Sequence, residues 1–237
     1  MPQVAGLRTT DLRRRWQEFA EHRDFWLILA ILGASVLLLG FGLLAGAVHS
    51  PSMTAIDRRI LLALRSGPDD AIGPGWVEGF WLEVTSLGSV TVLCVVSLIA
   101  AGCLLILRRY RVTLTLTAGL IGGLVLTSAL KAVVARPRPD FVTHLAAVSS
   151  PSFPSGHSMM AAIVYPTLGV ILARAATRPL LKRYVIGVAL CLMVLVGASR
   201  VYLGVHYATD VLAGWCIGLS WALFCWIVAH LLQRDAV

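Results

Sequence analysis

Long apolar runs recur along the chain and are separated by short polar segments. The first run, residues 25–48, has 24 residues. It exceeds the roughly 7–15 residues of a signal-peptide core and is predicted as a retained span. Further spans are predicted at residues 84–107, 112–134, 155–173, 184–198 and 210–232. The fifth is short and is expected to continue as a helix through Tyr202. The pattern predicts an all-α polytopic membrane protein with six transmembrane helices in one bundle.

The segment between the first two spans is amphipathic. Residues 54–64 carry apolar side chains at helical spacing, with charged residues on another face: Ile56, Ile60, Leu61 and Leu64 against Asp57, Arg58 and Arg59. This spacing predicts a short interfacial helix. Three aromatic residues downstream are expected to anchor at the level of the lipid headgroups: Trp76, Phe80 and Trp81.

The composition supports the membrane class. Hydrophobic residues make up 58% of the chain and charged residues 14%, against roughly 25% charged residues in a soluble domain. A single transmembrane domain is therefore expected at residues 25–237, after a basic cytoplasmic segment at residues 1–24. The five cysteines all lie in apolar runs without metal-ligand spacing. This favours buried apolar side chains over a metal site or disulfides.

The distribution of positive charge predicts the orientation in the membrane. The net charge is +8, but the basic residues lie mostly between apolar runs, so topology explains them better than nucleic-acid binding does. Of the 20 Lys and Arg residues, 13 fall on the side of the two termini and seven on the other. Because positive charge collects in the cytoplasm, both termini are predicted to be cytoplasmic. The segments near residues 131–154 and 200–210 are then predicted to face outward.

The first of three polar motifs follows the third span. Lys131 and Arg138 are seven residues apart, which would be two turns on one helix face. Pro137 and Pro139 are expected to end that helix and to fix the direction of the chain. The structural alternative is a basic cap on a span, stabilised by the helix dipole and by snorkelling.

The second motif, residues 151–157, precedes the fourth span. Ser155 and Gly156 at a helix start offer a hydroxyl and free backbone N–H groups, which together form an anion site. His157 would then lie in the first turn of the helix. The alternative is an ordinary N-cap beside an interfacial histidine.

The third motif contains Arg200, His206 and Asp210. The last two are four residues apart, which would make them neighbours on one helix face. An aspartate bonded to one imidazole nitrogen fixes the tautomer and leaves the other nitrogen free to attack. The alternative is a structural His–Asp pair at the interface. With Lys131 and Arg138, the set matches phosphoryl transfer, which needs cations, an in-line nucleophile and an acid for the leaving oxygen.

In order, internal spacing and position at the outer helix ends, these motifs resemble the three signature motifs of the type 2 phosphatidic acid phosphatase family. The resemblance covers residues 55–232 and implies a metal-independent lipid phosphate phosphatase without a cofactor. It implies that His206 is the nucleophile and forms a phosphohistidine, that Asp210 orients it, and that His157 acts first as acid and then as base. It also implies a set of phosphate-binding residues: Lys131, Arg138, Ser155, Gly156 and Arg200.

The resemblance does not select among phosphatidate, phosphatidylglycerol phosphate and undecaprenyl diphosphate. An outward-facing site in a bacterial-looking chain favours the last, in the bacterial cytoplasmic (inner) membrane. The expected partners are a lipid phosphate and the bilayer, with no nucleic acid and no obligate protein partner. The alternatives are a lipid phosphotransferase, a transporter or scaffold that retains the pocket, and haloperoxidase chemistry, although vanadate-dependent peroxidases that share the motifs are soluble. The outward carboxylates lack the dense clustering of a two-metal site.

A few polar residues fall outside the motifs. Asp140 is expected either to pair with Arg136 or Arg138 or to be a turn residue. His144 is expected at the surface, where contact with a lipid headgroup is a lesser alternative. The other histidines are expected to be surface or interfacial residues: His22, His49 and His230.

Overall fold

The computed structural model describes residues 23–67 and 70–232. Within these ranges the chain forms eight helices, and the all-α prediction is confirmed. They are α1 (Arg23–Ala47), α2 (Pro51–Leu62), α3 (Gly75–Ser86), α4 (Val90–Ile106), α5 (Tyr110–Val134), α6 (Gly156–Ala175), α7 (Pro179–Tyr202) and α8 (Ala208–Leu231). The predicted basic N-terminal segment lies outside the described residues, apart from the first turn of α1.

Five helices are long and apolar enough to cross a membrane: α1, α5, α6, α7 and α8. The predicted total of six spans is reached if α3 and α4, which are bent by 47° relative to each other, together form one broken span. The predicted span at residues 84–107 therefore consists of the end of α3 and the whole of α4, with a break at residues 87–89. The helix breaks because Ser89 caps α4 by accepting a hydrogen bond from the Val92 amide at 3.2 Å. The Leu87 carbonyl is used elsewhere, accepting from the Tyr165 hydroxyl at 2.7 Å.

The predicted interfacial helix is present as α2, three residues earlier than expected because Ser50 caps it. One of its charges was misplaced by the sequence pattern. Asp57 was grouped with Arg58 and Arg59 on the face opposite the apolar side chains, but it is fully buried. Its carboxylate accepts from the Thr209 amide at 3.1 Å and pairs with Arg136 at 3.0 Å. A carboxylate with such partners can be buried, so its charge alone did not indicate exposure.

Helix α6 lies at the centre of the bundle and contacts α4, α5, α7 and α8, whereas α1 packs against α8. Residues 158–165 of α6 are all buried. Many large apolar side chains on the outer helices are exposed, as expected of surfaces that face lipid. Cys103 and Cys191 lie on such outer surfaces, so the prediction of burial was wrong for them. Of the predicted aromatic anchors, Trp76 is exposed, whereas Trp81 stacks on Tyr202.

Two glycines let α8 approach the backbone of α6 closely. A Cβ on Gly218 would lie 2.5 Å from the Met159 carbonyl oxygen, and one on Gly214 would lie 2.8 Å from that of Ser155. Small residues four apart commonly allow such contacts between transmembrane helices. The Ser155 amide also donates to the Asp210 carbonyl at 3.0 Å. The starts of α6 and α8 therefore lie side by side, next to the ends of α5 and α7.

Candidate active site

A cavity of about 390 Å³ opens where these four helix ends meet. Six of the eight predicted site residues line it: Lys131, Arg138, Gly156, His157, Arg200 and His206. Among the described residues that form its wall, none is acidic. The cavity therefore combines three cationic side chains and two imidazoles, an environment that favours an anion.

His206 lies in the loop between α7 and α8 and is 2% exposed. The expectation that it shares a helix face with Asp210 was wrong, because α8 begins only at Ala208. The two side chains nevertheless meet, with Nδ1 of His206 3.4 Å from Oδ2 of Asp210. On the other side of the ring, Nε2 is 3.3 Å from a terminal nitrogen of Arg138. This geometry fits the tautomer that carries its proton on Nδ1 and keeps the lone pair on Nε2.

The position of Asp210 is fixed by the start of α8. Its Oδ2 accepts from the Tyr207 amide at 3.0 Å, which caps the helix, and from the hydroxyl of Ser152. The carboxylate is fully buried behind His206. Burial lowers the pKa of His206 to about 3, although the hydrogen bond and charge of Asp210 act in the opposite direction. His206 is therefore neutral at physiological pH.

Lys131 and Arg138 reach the cavity by different routes. The expectation of one shared helix face was wrong, because α5 ends at Val134 and Ala135 adopts a left-handed conformation with φ 47°. Arg138 extends from the loop beyond and donates through Nε to the Ser150 carbonyl at 2.8 Å. Lys131 donates to the Ser150 hydroxyl at 3.0 Å. Ser150 thus holds both cations next to the cavity.

Arg200 enters from the last turn of α7. It donates to the Thr85 hydroxyl at 2.8 Å, whereas its buried Nε has no hydrogen-bond partner among the described residues. A buried guanidinium N–H without a partner is costly, so it indicates a place for an acceptor. His157 lies in the first turn of α6, as predicted.

Ser155 is the one predicted phosphate-binding residue whose side chain does not line the cavity. It caps α6 by position, but its side chain is fully buried and accepts a hydrogen bond from the Ser158 hydroxyl at 2.9 Å. It does not belong to the wall of the cavity, whereas the neighbouring Gly156 does. The start of α6 therefore presents the backbone of Gly156 to the cavity, and phosphate binding by the Ser155 hydroxyl stays a prediction.

A profile of the PAP2 superfamily matches residues 112–234, more than half of the chain. The chain belongs to the PAP2 superfamily. It is 38% identical over 189 residues to phosphatidylglycerophosphatase B of Bacillus subtilis (strain 168), with 77% of this chain and 88% of that protein covered. It is 35% identical over 153 residues to undecaprenyl-diphosphatase of Sulfolobus acidocaldarius, with 62% of each chain covered.

Two solved structures share the fold of this PAP2 protein. A transmembrane PAP2-type phosphatidylglycerolphosphate phosphatase from Bacillus subtilis superposes with a TM-score of 0.74 at 33% identity, covering 86% of this chain and 97% of that one. Aquifex aeolicus LpxE superposes with a TM-score of 0.54 at 22% identity, covering 79% and 97%. The predicted family is confirmed, and the PAP2 protein is an integral membrane enzyme of a lipid phosphatase family.

Sequence reasoning missed three residues behind the PAP2 site: Asp57, Arg136 and Ser152. Arg136 is 3% exposed and donates to Asp210 at 2.6 Å and to Asp57 at 3.0 Å. These partners replace the pairing with Asp140 that the sequence had left open. No local pattern signals the network, because its members come from distant parts of the chain.

Further expectations concern the remaining histidines. His144 bonds to the Pro139 carbonyl at 2.6 Å and so braces the loop that carries Arg138. His49 is exposed, as predicted, whereas His230 stacks on Trp226 within α8. Among the described residues, no group of three or more His, Cys, Asp or Glu side chains is arranged to hold a metal ion.

Proposed function

We propose that this protein hydrolyses a membrane lipid phosphate or diphosphate through a phosphohistidine formed on His206. The observation that carries this proposal is the setting of that imidazole. Its Nδ1 is held by Asp210 and its Nε2 faces Arg138, at a cavity with two more cations and a second histidine. A neutral, oriented imidazole is a competent nucleophile for phosphorus.

In the first step, the lone pair on Nε2 of His206 forms a bond to phosphorus while the bond from phosphorus to the lipid oxygen breaks. His157 gives its proton to that oxygen, so the lipid leaves as an alcohol or as a lipid monophosphate. Asp210 stabilises the positive charge that develops on the His206 ring.

In the second step, His157 takes a proton from water, and the water oxygen bonds to phosphorus. The N–P bond breaks, inorganic phosphate leaves, and both histidines return to their first state. Using one residue as acid and then as base follows from the reversed direction of proton transfer in the two steps.

The cations stabilise the negative charge on the transferring group. Lys131, Arg138 and Arg200 converge on one cavity, and the unpartnered Nε of Arg200 provides a donor for a phosphate oxygen. The Gly156 amide at the start of α6 adds a further donor. Ser155 acts in this proposal only by fixing the start of that helix.

The substrate class follows from where the cavity lies. It lies at the ends of helices long enough to span a membrane, where lipid headgroups are expected, and part of its wall is apolar: Val90, Leu124 and Met160. A lipid could thus present its phosphate to the cations while its chain stays in the bilayer. The names of the two relatives make phosphatidylglycerol phosphate and undecaprenyl diphosphate the first substrates to test, with phosphatidate beside them.

The test is phosphate release by purified protein in detergent with EDTA, for each of the three lipids. Release that survives EDTA supports the metal-independent chemistry, and the relative rates name the preferred substrate. We expect His206→Ala to reduce kcat roughly 10⁴-fold or more, as for other nucleophiles. We expect His157→Ala to reduce it roughly 10²- to 10⁴-fold.

The matched control is His49→Ala, which removes an exposed histidine outside the cavity wall and should leave the rate unchanged. Acid-labile radiolabel on the protein after a quench with labelled substrate, absent from His206→Ala, would identify the intermediate. Full activity of His206→Ala, or activity that requires a divalent metal, would contradict the proposal.

A further inference from the structure

Behind the proposed nucleophile lies a row of three buried charges. Asp57 and Asp210 are fully buried and Arg136 is 3% exposed. Arg136 bridges the two carboxylates, with one terminal nitrogen 2.6 Å from Oδ1 of Asp210 and the other 3.0 Å from Oδ2 of Asp57. The row continues to His206 through the other oxygen of Asp210. It thus runs from α2, across the loop after α5, to the start of α8.

Asp57 is held in one orientation. Its Oδ1 accepts from the Thr209 amide at 3.1 Å and its Oδ2 from the Thr209 hydroxyl at 2.5 Å, in addition to Arg136. The guanidinium is fixed from a third side, because it stacks on the Tyr207 ring with its carbon 3.9 Å from the ring centre. Arg136 therefore cannot rotate without losing several contacts.

The arrangement divides the oxygens of Asp210 between two tasks. Oδ1 accepts from Arg136, while Oδ2 accepts from Ser152 and the Tyr207 amide and faces His206. A guanidinium that is not held elsewhere prefers to donate to both oxygens of a carboxylate. Asp57 draws one end of Arg136 away and so leaves Oδ2 to the imidazole.

Charge leads to the same conclusion. Two carboxylates and one guanidinium sum to a single negative charge next to His206. Without Asp57 the remaining pair would be neutral, and the positive charge that develops on His206 during attack would lose its net counter-charge. In a buried site, where water screens little, that difference bears directly on the transition state.

We propose that Asp57, acting through Arg136, is a positioning residue for the nucleophile. It keeps Oδ2 of Asp210 directed at the imidazole of His206 and maintains one net negative charge beside that ring. The inference rests on the proposed function, since it assumes that His206 attacks phosphorus. Neither Asp57 nor Arg136 lines the cavity, so neither is expected to touch the substrate. The competing explanation is that the pair only fastens α2 to the bundle.

The experiment compares Asp57→Asn with Leu61→Ala. Leu61 is a fully buried residue of α2 in an apolar cluster with Val201, Tyr207 and Val211, so its truncation loosens α2 without removing a charge. For Asp57→Asn we expect kcat and the rate of radiolabel transfer to His206 to fall roughly 10- to 100-fold, the range for losing an outer partner of a site residue. KM should change less than about twofold, because substrate binding is untouched. Leu61→Ala should lower the thermal midpoint and leave kcat of the folded fraction near that of the wild type.

A second variant keeps the test valid if Asp57→Asn does not fold. Arg136→Lys retains the buried positive charge, but a point charge cannot bridge two carboxylates in fixed geometry. We expect the same loss in kcat at unchanged KM. A wild-type kcat in whichever of Asp57→Asn and Arg136→Lys folds would overturn the inference. So would a loss in kcat for Leu61→Ala as large as that for these two variants. The proposed function would fail separately, through an active His206→Ala.

Discussion

At the scale of single residues, the proposed chemistry depends on which form of His206 is present. Attack requires the neutral ring, and burial lowers the pKa of this imidazole to about 3, below the usual 6.5. Since the folded-state pKa is depressed, the neutral form persists as the pH falls through 6.5. A solvated histidine would already be half protonated there. Burial therefore widens the pH range in which the nucleophile is available.

The pH dependence of kcat/KM reports ionisations of the free enzyme. We therefore expect that titration of His206 does not cause kcat/KM to fall on the acid side with a midpoint near pH 6.5. The profile should be measured from pH 5 to 8 and divided by the fraction of substrate dianion, determined by ³¹P NMR. After that correction we expect the acid side to stay flat. A remaining acid limb near 6.5 would mean that His206 is hydrated and titrates normally.

Local motifs predicted the residues that meet at the cavity, because each motif places its groups within a few residues of a helix end. They could not predict the contacts behind it. Asp57 and Arg136 are 79 positions apart, and a charge on an amphipathic helix is usually solvated. The hydroxyl of Ser155 illustrates the same limit, since only the packed structure shows that it is buried and accepts a hydrogen bond from Ser158.

At the scale of helices, the close approach of α6 and α8 brings His157 next to His206. Gly218→Ala would place a Cβ 2.5 Å from the Met159 carbonyl oxygen. Because that oxygen belongs to the backbone of α6, the clash can be relieved only by moving the two helices apart. Overpacking of this kind costs about 1–3 kcal/mol, more than the roughly 1 kcal/mol that alanine gains in helix propensity. We expect a lower thermal midpoint in detergent together with a lower kcat.

Gly187→Ala is the control for Gly218→Ala, because it makes the same substitution in a spanning helix at a position without a close contact. It lies in α7 with open space around its Cβ position, so the propensity gain is unopposed and stability should stay the same or rise. Equal stability and kcat for Gly218→Ala and the wild type would show that the contact between α6 and α8 is not needed to align the two histidines.

The helix boundaries show why the elements were only partly predictable. Apolar composition identified each crossing, since a span must bury about 20 residues in lipid. It did not locate the break before α4, although Ser86, Gly88 and Ser89 interrupt the apolar run there. A tertiary contact adds to the cap at Ser89: a Cβ on Gly88 would lie 2.3 Å from Val196, so the chain passes too close to α7 for a side chain. The end of α5 was placed correctly at residue 134, but the left-handed Ala135 that directs Arg138 was not foreseen.

At the scale of the whole molecule, the cavity and the basic loops lie at opposite ends of the bundle. The ends of α5 and α7, the starts of α4 and α6 and the loop before α8 line the cavity, so the α4–α5 and α6–α7 junctions lie a full span away. Those junctions carry seven basic residues: Arg108, Arg109, Arg111, Arg174, Arg178, Lys182 and Arg183. Because positive loops stay in the cytoplasm, we propose that the cavity opens on the outer side of the membrane and that both termini are cytoplasmic.

Single cysteines test this orientation after the five native cysteines are replaced by alanine. Ser66, in the loop after α2, and Thr177, between α6 and α7, are both exposed, and they lie at opposite ends of the bundle. We expect a membrane-impermeant maleimide to label Ser66→Cys on intact cells and Thr177→Cys only after permeabilisation. The reverse pattern would place the cavity in the cytoplasm, where lipid phosphates of the inner leaflet would be its substrates. The outward result would instead restrict the enzyme to lipids whose phosphate reaches the outer leaflet.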